Sequence, residues 1–232
     1  MSGITWLGHG SFQIDTPAGA CVLIDPWVTG NPSWPEGRTV ERCDAILLTH
    51  GHADHATDTA AIAQEHSAPV ATIPELAGWL SGQGVSDVVG FNKGGAIEIA
   101  GLHVTMTNAV HSSSAPDGTP LGDPAGFVIE GPGMPTIYAA GDTAVHSDMA
   151  LIGEIYTPGI AILPIGDHYT MGPLQAAYAA RLIAAPEIVP GHYATFPLLT
   201  GTPEALRREL ASIGVSATVH EVRPGEVVRP FA

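Results

Sequence analysis

Apolar residues come in short runs separated by turn residues, a pattern that predicts many brief strands. Such runs are Ile4-Leu7, Ser11-Asp15, Cys21-Asp25, Ala45-Thr49, Pro69-Ile73, Ala96-Ile99, His103-Thr107, Gly126-Glu130, Thr136-Ala140, Ile160-Pro164, Glu187-Pro190 and Thr218-Val222. Helical spacing is confined to Thr57-Gln64, Pro74-Ser81, Pro173-Ala184 and Pro203-Ile213. The last is well punctuated: Thr202 stands as N-cap, Pro203 as first helical residue and Gly214 just past the end. In Pro173-Ala184 the residues Leu174, Tyr178, Leu182 and Ile183 fall near one face, which predicts that this face lies on a sheet. Strands that begin as a meander and later alternate with helices predict a mixed α/β fold with helices outside. Two long polar loops interrupt the pattern, Pro26-Arg42 and His111-Pro124, and loops of that length are usually functional. No stretch resembles a linker, so residues 1–232 are read as a single domain.

Composition narrows the field. The 232 residues are 45% hydrophobic and 13% charged, which excludes a disordered chain. No apolar run approaches the roughly 20 residues of a membrane span. The first residues, MSGITWLGHGSFQIDTPAGA, lack a basic start and an apolar stretch, so a cytoplasmic protein without contact to a membrane is expected. Eight Lys+Arg stand against 23 Asp+Glu, a formal charge of −15, with no basic cluster denser than Arg207-Arg208. That balance disfavours duplex nucleic acid as a partner. Cys21 and Cys43 match no zinc-ribbon or redox spacing and are expected to be reduced and buried.

The chemistry sits in the histidines. His50-Gly51-His52-Ala53-Asp54-His55 follows the strand-like run DAILL and precedes a helical pattern, so four metal-capable side chains share one turn. Imidazole nitrogen and carboxylate oxygen suit Zn²⁺, Mn²⁺ or iron. Alternate residues His50 and His52 can face one ion while Asp54 and His55 face a second. More donors follow at strand ends: His111 after HVTMTNAV, Asp142 in AGDT, and His192 in PGHY. Asp25 ends CVLI in the same way and has the position of a residue that orients the turn.

This order of motifs resembles the metallo-β-lactamase superfamily. WLGHGSFQI, LPIGDHYTMGP and PGHYATFPLL are similar to the small metal-dependent hydrolases related to L-ascorbate-6-phosphate lactonase, the UPF0173 group. The resemblance implies a four-layer αββα sandwich with a dinuclear site in a groove at one edge of the sheets. It implies one ion held by His50, His52 and His111, a second held by Asp54, His55 and His192, and Asp142 bridging. Two divalent ions are expected, Zn²⁺ first, with Mn²⁺ or iron as alternatives. The related lactonases also imply a homo-oligomer. Gly166-Asp167-His168 is more acidic than the resemblance suggests, which bears on the substrate pocket and not on the metals.

Two ions sharing an activated water need no Ser or Cys nucleophile, and the chain has no GxSxG motif. The expected reaction is attack of a metal-bridging hydroxide on a small ester or lactone, with Asp54 orienting the hydroxide and one of Asp167, His168 and Tyr169, His168 first, protonating the leaving group or stabilising an oxyanion. Substrate-pocket candidates are His9, Trp27, Trp34, Asp167 and Tyr169, the two tryptophans as apolar walls. Tyr193 and Phe196 are expected to pack beside His192. Arg38 is the one cation on a loop placed to reach the groove, so a neutral small-molecule substrate is favoured over a sugar phosphate. The alternative is phosphodiester chemistry on small cyclic or activated diesters. A redox role is disfavoured because position 52 is His, where oxygen- or NO-reducing members carry Glu.

Overall fold

The computed structural model describes residues 2–228 and 231. The chain lays down β1 (Gly3–Trp6), β2 (Phe12–Asp15) and β3 (Cys21–Ile24) as an antiparallel meander. It then adds β4 (Ala45–Leu47), α1 (Ala53–Ala56), α2 (Thr59–His66), β5 (Val70–Thr72), α3 (Pro74–Gly82) and β6 (Val88–Gly90), with parallel pairing from β3 to β6. The following residues repeat the plan. β7 (Ala96–Ile99), β8 (Leu102–Asn108), β9 (Ala125–Glu130) and β10 (Ile137–Ala139) are antiparallel neighbours. After them α4 (Asp148–Tyr156), β11 (Ile160–Pro164), α5 (Pro173–Ile183), β12 (Glu187–Gly191), α6 (Pro203–Ser212) and β13 (Thr218–Val219) complete a parallel half. Finally β14 (Val227–Val228) returns to pair with β1.

Among the described residues this gives two seven-stranded sheets, ordered β14-β1-β2-β3-β4-β5-β6 and β13-β12-β11-β10-β9-β8-β7. The apolar faces of both sheets merge in one core that includes Ile14, Leu23, Ile46, Phe127, Tyr138 and Ile162. Helices α2 and α3 cover the first sheet and α5 and α6 the second, an αββα sandwich. Strands β3 and β11, CVLI and IAILP, are buried throughout, as strands covered on both faces must be.

The twelve expected strands each overlap an observed one, and four elements go beyond the sequence pattern: β6, β14, α1 and α4. The first two are short strands at or near a sheet edge. Helix α4 buries only Met149 and Ile152 and carries Gly153 in its middle, which masks its periodicity. A Cβ at Gly153 would collide with the Ile183 carbonyl at the end of α5, so the glycine is what lets the two helices meet. The face assigned to α5 needs correction. Leu174 and Tyr178 are exposed, and Ala176, Ala177, Ala179, Ala180 and Ile183 are the buried residues. Small side chains bring α5 close to its neighbours, and apolar size alone misled the reading. Helix α6 follows the sequence closely, with Thr202 Oγ1 accepting from Ala205 N at 3.1 Å.

Both cysteines are buried and unbridged. Burial pushes the Cys21 thiol up to about 11 and the Cys43 thiol up to about 12. A thiol at about 11 is ~0.1% thiolate at pH 8, against about a quarter for a free cysteine. Labelling of the native protein by a thiol-disulfide reagent at pH 8 is expected to be at least about 100-fold slower than in denaturant. Equal rates in both conditions would contradict this burial.

Candidate metal centre

The candidate residues gather along one rim of the sandwich, where parallel strands give way to loops. Asp25 follows β3, the His50–His55 turn follows β4, His111 lies beyond β8, Asp142 follows β10 and His192 follows β12. His9, on the β1–β2 turn, joins them. The backbone is forced at three of these points: His9, Asp25 and His192 have φ of 54°, 45° and 52°. Left-handed conformations at residues with side chains cost free energy and concentrate at functional sites. Gly10 has a steric reason, since a Cβ there would lie 2.6 Å from His55 Cε1.

Buried hydrogen bonds fix the imidazoles. Asp25 accepts from Thr49 N at 2.7 Å, from Thr49 Oγ1 at 2.6 Å and from His55 Nδ1 at 2.8 Å. With its proton given to Asp25, Thr49 Oγ1 accepts from His50 Nδ1 at 2.9 Å. His50 and His55 therefore donate through Nδ1 and turn Nε2 toward the centre. His50 Nε2 lies 3.0 Å from His52 Nδ1, while His52 Nε2 lies 3.4 Å from Ser112 Oγ. When Ser112 Oγ accepts from His52 Nε2–H, two bare nitrogens, His50 Nε2 and His52 Nδ1, face each other at 3.0 Å, an arrangement a shared cation relieves.

Two clusters of donor atoms result. His50, His52 and His111 form one; His9, Asp54, His55 and His192 form the other. Asp142 stands between them, with Oδ2 at 3.0 Å from His192 Nε2, 3.3 Å from His55 Nε2 and 3.6 Å from His111 Nε2. His55 Nε2 and His192 Nε2 are nevertheless buried without an aligned hydrogen-bond partner. Buried unpaired imidazole nitrogens around one carboxylate oxygen fit a cation site.

The charges agree. Burial holds His50 well below its ordinary value, and burial also lowers His52 and His111, so these three are neutral donors at pH 7. For Asp142 burial acts upward, but His192 and His55 outweigh it and keep the carboxyl well below the usual range. Asp54 is likewise lowered against its burial, by the His9 hydrogen bond and by His55. Burial pulls His55 down, but Asp142 and Asp25 together raise it well above its ordinary value.

Above the centre lies a groove of about 640 Å³. His52, Asp54, His111, Asp142 and His192 form its floor, and Tyr169, Phe196, Pro197 and Leu198 form an apolar lip. The pocket residues read from the sequence divide here. Tyr169 lines the groove, while Asp167 and His168 are exposed and lie outside its lining. His9 is fully buried behind Asp54. Trp27 is buried edge-on to His9 at 5.1 Å, and Trp34 donates Nε1 to the Arg38 carbonyl at 3.0 Å, so neither indole walls the groove. Tyr193 packs as expected, stacked on Trp6 at 4.7 Å, but Phe196 belongs to the lip.

Arg38 does not reach the groove either. It donates to Gln13 Oε1 at 2.8 Å and lines a larger cavity of about 870 Å³, at the opposite end of β3 from Asp25, with none of the clustered histidines. Among the described residues, no lysine or arginine lines the groove over the histidines. Ser112, Thr49, Pro197 and Leu198 were not singled out in the sequence, and Phe196 only as a packing residue. Thr49 is adjacent to the motif, whereas the lip has no local signal because a loop after β12 folds back over the floor.

Known proteins resemble this chain in sequence and in fold. Residues 21–193 match the family model described as a Beta-lactamase superfamily domain. A UPF0173 metal-dependent hydrolase of Herpetosiphon aurantiacus is 53% identical over 96% of this chain and 95% of its own. One from Roseiflexus sp. is 50% identical over 97% and 96%. Among solved structures, Igni18, a metallo hydrolase of Ignicoccus hospitalis, superposes with TM-score 0.86 at 35% identity, covering 97% of this chain and 96% of its own. An isothiocyanate hydrolase from Delia radicum gut bacteria gives 0.77 at 25% identity, covering 99% of both chains. With half its residues shared along nearly its whole length, the chain belongs to the metallo-β-lactamase superfamily and, within it, to the UPF0173 metal-dependent hydrolases.

Proposed function

We propose that the chain is a dinuclear hydrolase that cleaves a small, uncharged ester or lactone. The observation that carries this reading is the position of Asp142, whose Oδ2 lies within 3.6 Å of imidazoles from both donor clusters. His50, His52 and His111 would hold one ion, Asp54, His55 and His192 a second, and Asp142 would serve both. Zn²⁺ is the first expectation for both. When bound, such a pair supplies a water activated at neutral pH and a Lewis acid for the attacked carbonyl.

The chain's own residues do the remainder. Asp25 and Thr49 hold His55 and His50 in single tautomers. Asp54, tied to His9 at 3.0 Å, keeps a carboxylate oxygen at the groove floor. The lip of Tyr169, Phe196 and Leu198 shields the reacting bond from bulk water. In the hydrolysis, water adds to the acyl carbon, the acyl C–O bond breaks, and the leaving oxygen takes up a proton. Tyr169 lines the groove and can deliver that proton, which supports it over His168. A phosphate-bearing substrate would find no cationic side chain among the described lining residues, which supports a neutral one.

Elemental analysis followed by a substrate panel tests the reading. Two ions per chain are expected, with hydrolysis of neutral lactones and esters at least about 10-fold faster, in kcat/KM, than of nitrophenyl phosphodiesters. An isothiocyanate belongs in the panel as a second neutral electrophile, given the relative of that name. One ion per chain, full activity after chelation, or a preference for phosphodiesters would each overturn it.

A further inference from the structure

The tie to Asp54 does not by itself explain the strain and packing built around His9. It is the one residue with a side chain between Gly8 and Gly10, yet it holds the left-handed backbone, φ 54°, that glycine adopts more cheaply. Its carbonyl accepts from Trp6 Nε1 at 2.9 Å and from His192 N at 2.8 Å, so the turn is clamped to the loop after β12 on the opposite sheet. The ring is fully buried. It is wedged against His192 at 3.9 Å and meets Trp27 and Phe196 edge-on at 5.1 and 5.4 Å. Packing on all these sides leaves one rotamer, and that rotamer directs Nε2 at Asp54 Oδ2, 3.0 Å away.

We propose that His9 is the positioning residue for Asp54: its Nε2–H holds Oδ2 and presents Oδ1 as the donor atom to the second ion. Asp54 sits at the start of a four-residue helix on a turn, and among the described residues its carboxylate makes no other hydrogen bond. Without this tether it can rotate into the groove. An ionised carboxylate accepts and cannot donate, so the His9 nitrogen 3.0 Å from Asp54 Oδ2 is the one that carries the proton. The strained turn, the clamp to the second sheet and the aromatic packing then have one common result, a fixed donor aimed at a carboxylate. The inference rests on the dinuclear reading, and its test separates the two.

The experiment is a competition titration of metal-free protein with Zn²⁺ against a chromophoric chelator, repeated with Co²⁺ to follow the absorption of each site. Wild type tests the underlying reading: two ions must bind, and a single one removes the reading itself. His9→Ala is expected to leave the tighter association of His50, His52 and His111 within about 3-fold and to weaken the second ion about 10–100-fold. His9→Gln, whose amide N–H extends to the same carboxylate oxygen, is expected to recover most of that loss. In an Asp54→Ala background, His9→Ala should change the second affinity no further. Circular dichroism and melting of each metal-free variant keep the affinities on folded protein. Unchanged second-site affinity in His9→Ala overturns the proposal. So does a His9→Gln protein as weak as His9→Ala, since the imidazole would then be a direct ligand.

Discussion

Under the proposed dinuclear mechanism, Asp142→Ala is expected to lower kcat/KM on any hydrolysed substrate on the order of 10³-fold and to reduce bound metal below two ions per chain. The size follows from what the side chain touches. One oxygen faces His55, His111 and His192, which belong to both donor clusters, so its removal would loosen both proposed ions at once. Misplacing the ions forfeits several kcal/mol of transition-state stabilisation, at about 1.4 kcal/mol per tenfold in rate. Asp142→Asn separates charge from geometry. It preserves the size of the group but gives up the negative charge that balances two dications, so it should lie between wild type and alanine. The measurement is metal content by elemental analysis alongside steady-state kinetics at saturating Zn²⁺. An alanine variant with two tightly held ions and full activity would end the bridging role. Loss of rate that is restored in full by excess metal would assign Asp142 to affinity alone.

The legible parts of this chain are those where chemistry is local. His50, His52, Asp54 and His55 sit within one turn, and a turn between strand and helix constrains donor directions before any tertiary contact forms. Asp142 and His192 were visible because each ends an apolar run, and the ends of parallel strands share one rim. The fold class followed from meander first, helices later. What stayed hidden depends on packing between distant segments. His9 reads as a substrate-pocket residue, and its burial behind Asp54 becomes visible only once the loop after β12 closes over it. The Phe196–Leu198 lip and the displacement of Arg38 to the far cavity arise the same way, from loops whose paths no periodicity encodes. The buried face of α5 was misjudged because alanines, not its larger residues, make the contact.

Asp25 gives the second large effect, and here the readout is stability of the metal-free protein. Its carboxylate is 1% exposed and takes three hydrogen bonds, from Thr49 N, Thr49 Oγ1 and His55 Nδ1. Asp25→Ala leaves a backbone amide, a hydroxyl and an imidazole N–H buried without acceptors. Stranding a buried partner of this kind costs about 3–5 kcal/mol. For a chain of this length, about 2–4 °C of melting temperature per kcal/mol gives a fall of roughly 6–20 °C. Relief of the left-handed backbone at Asp25 does not offset this, because alanine inherits the same φ of 45°. Asp25→Asn keeps one carbonyl acceptor for Thr49 and should lose about half as much. Calorimetry has to be done on chelated protein, since bound metal stabilises every variant by its own affinity and would mask the difference. With metal added back, the freed His55 ring no longer has a fixed tautomer, so Asp25→Ala should also weaken the second ion. A chelated alanine variant melting within about 2 °C of wild type would mean that water or a shifted backbone replaces the carboxylate, and that the His50–Thr49–Asp25–His55 network does not hold the rim together.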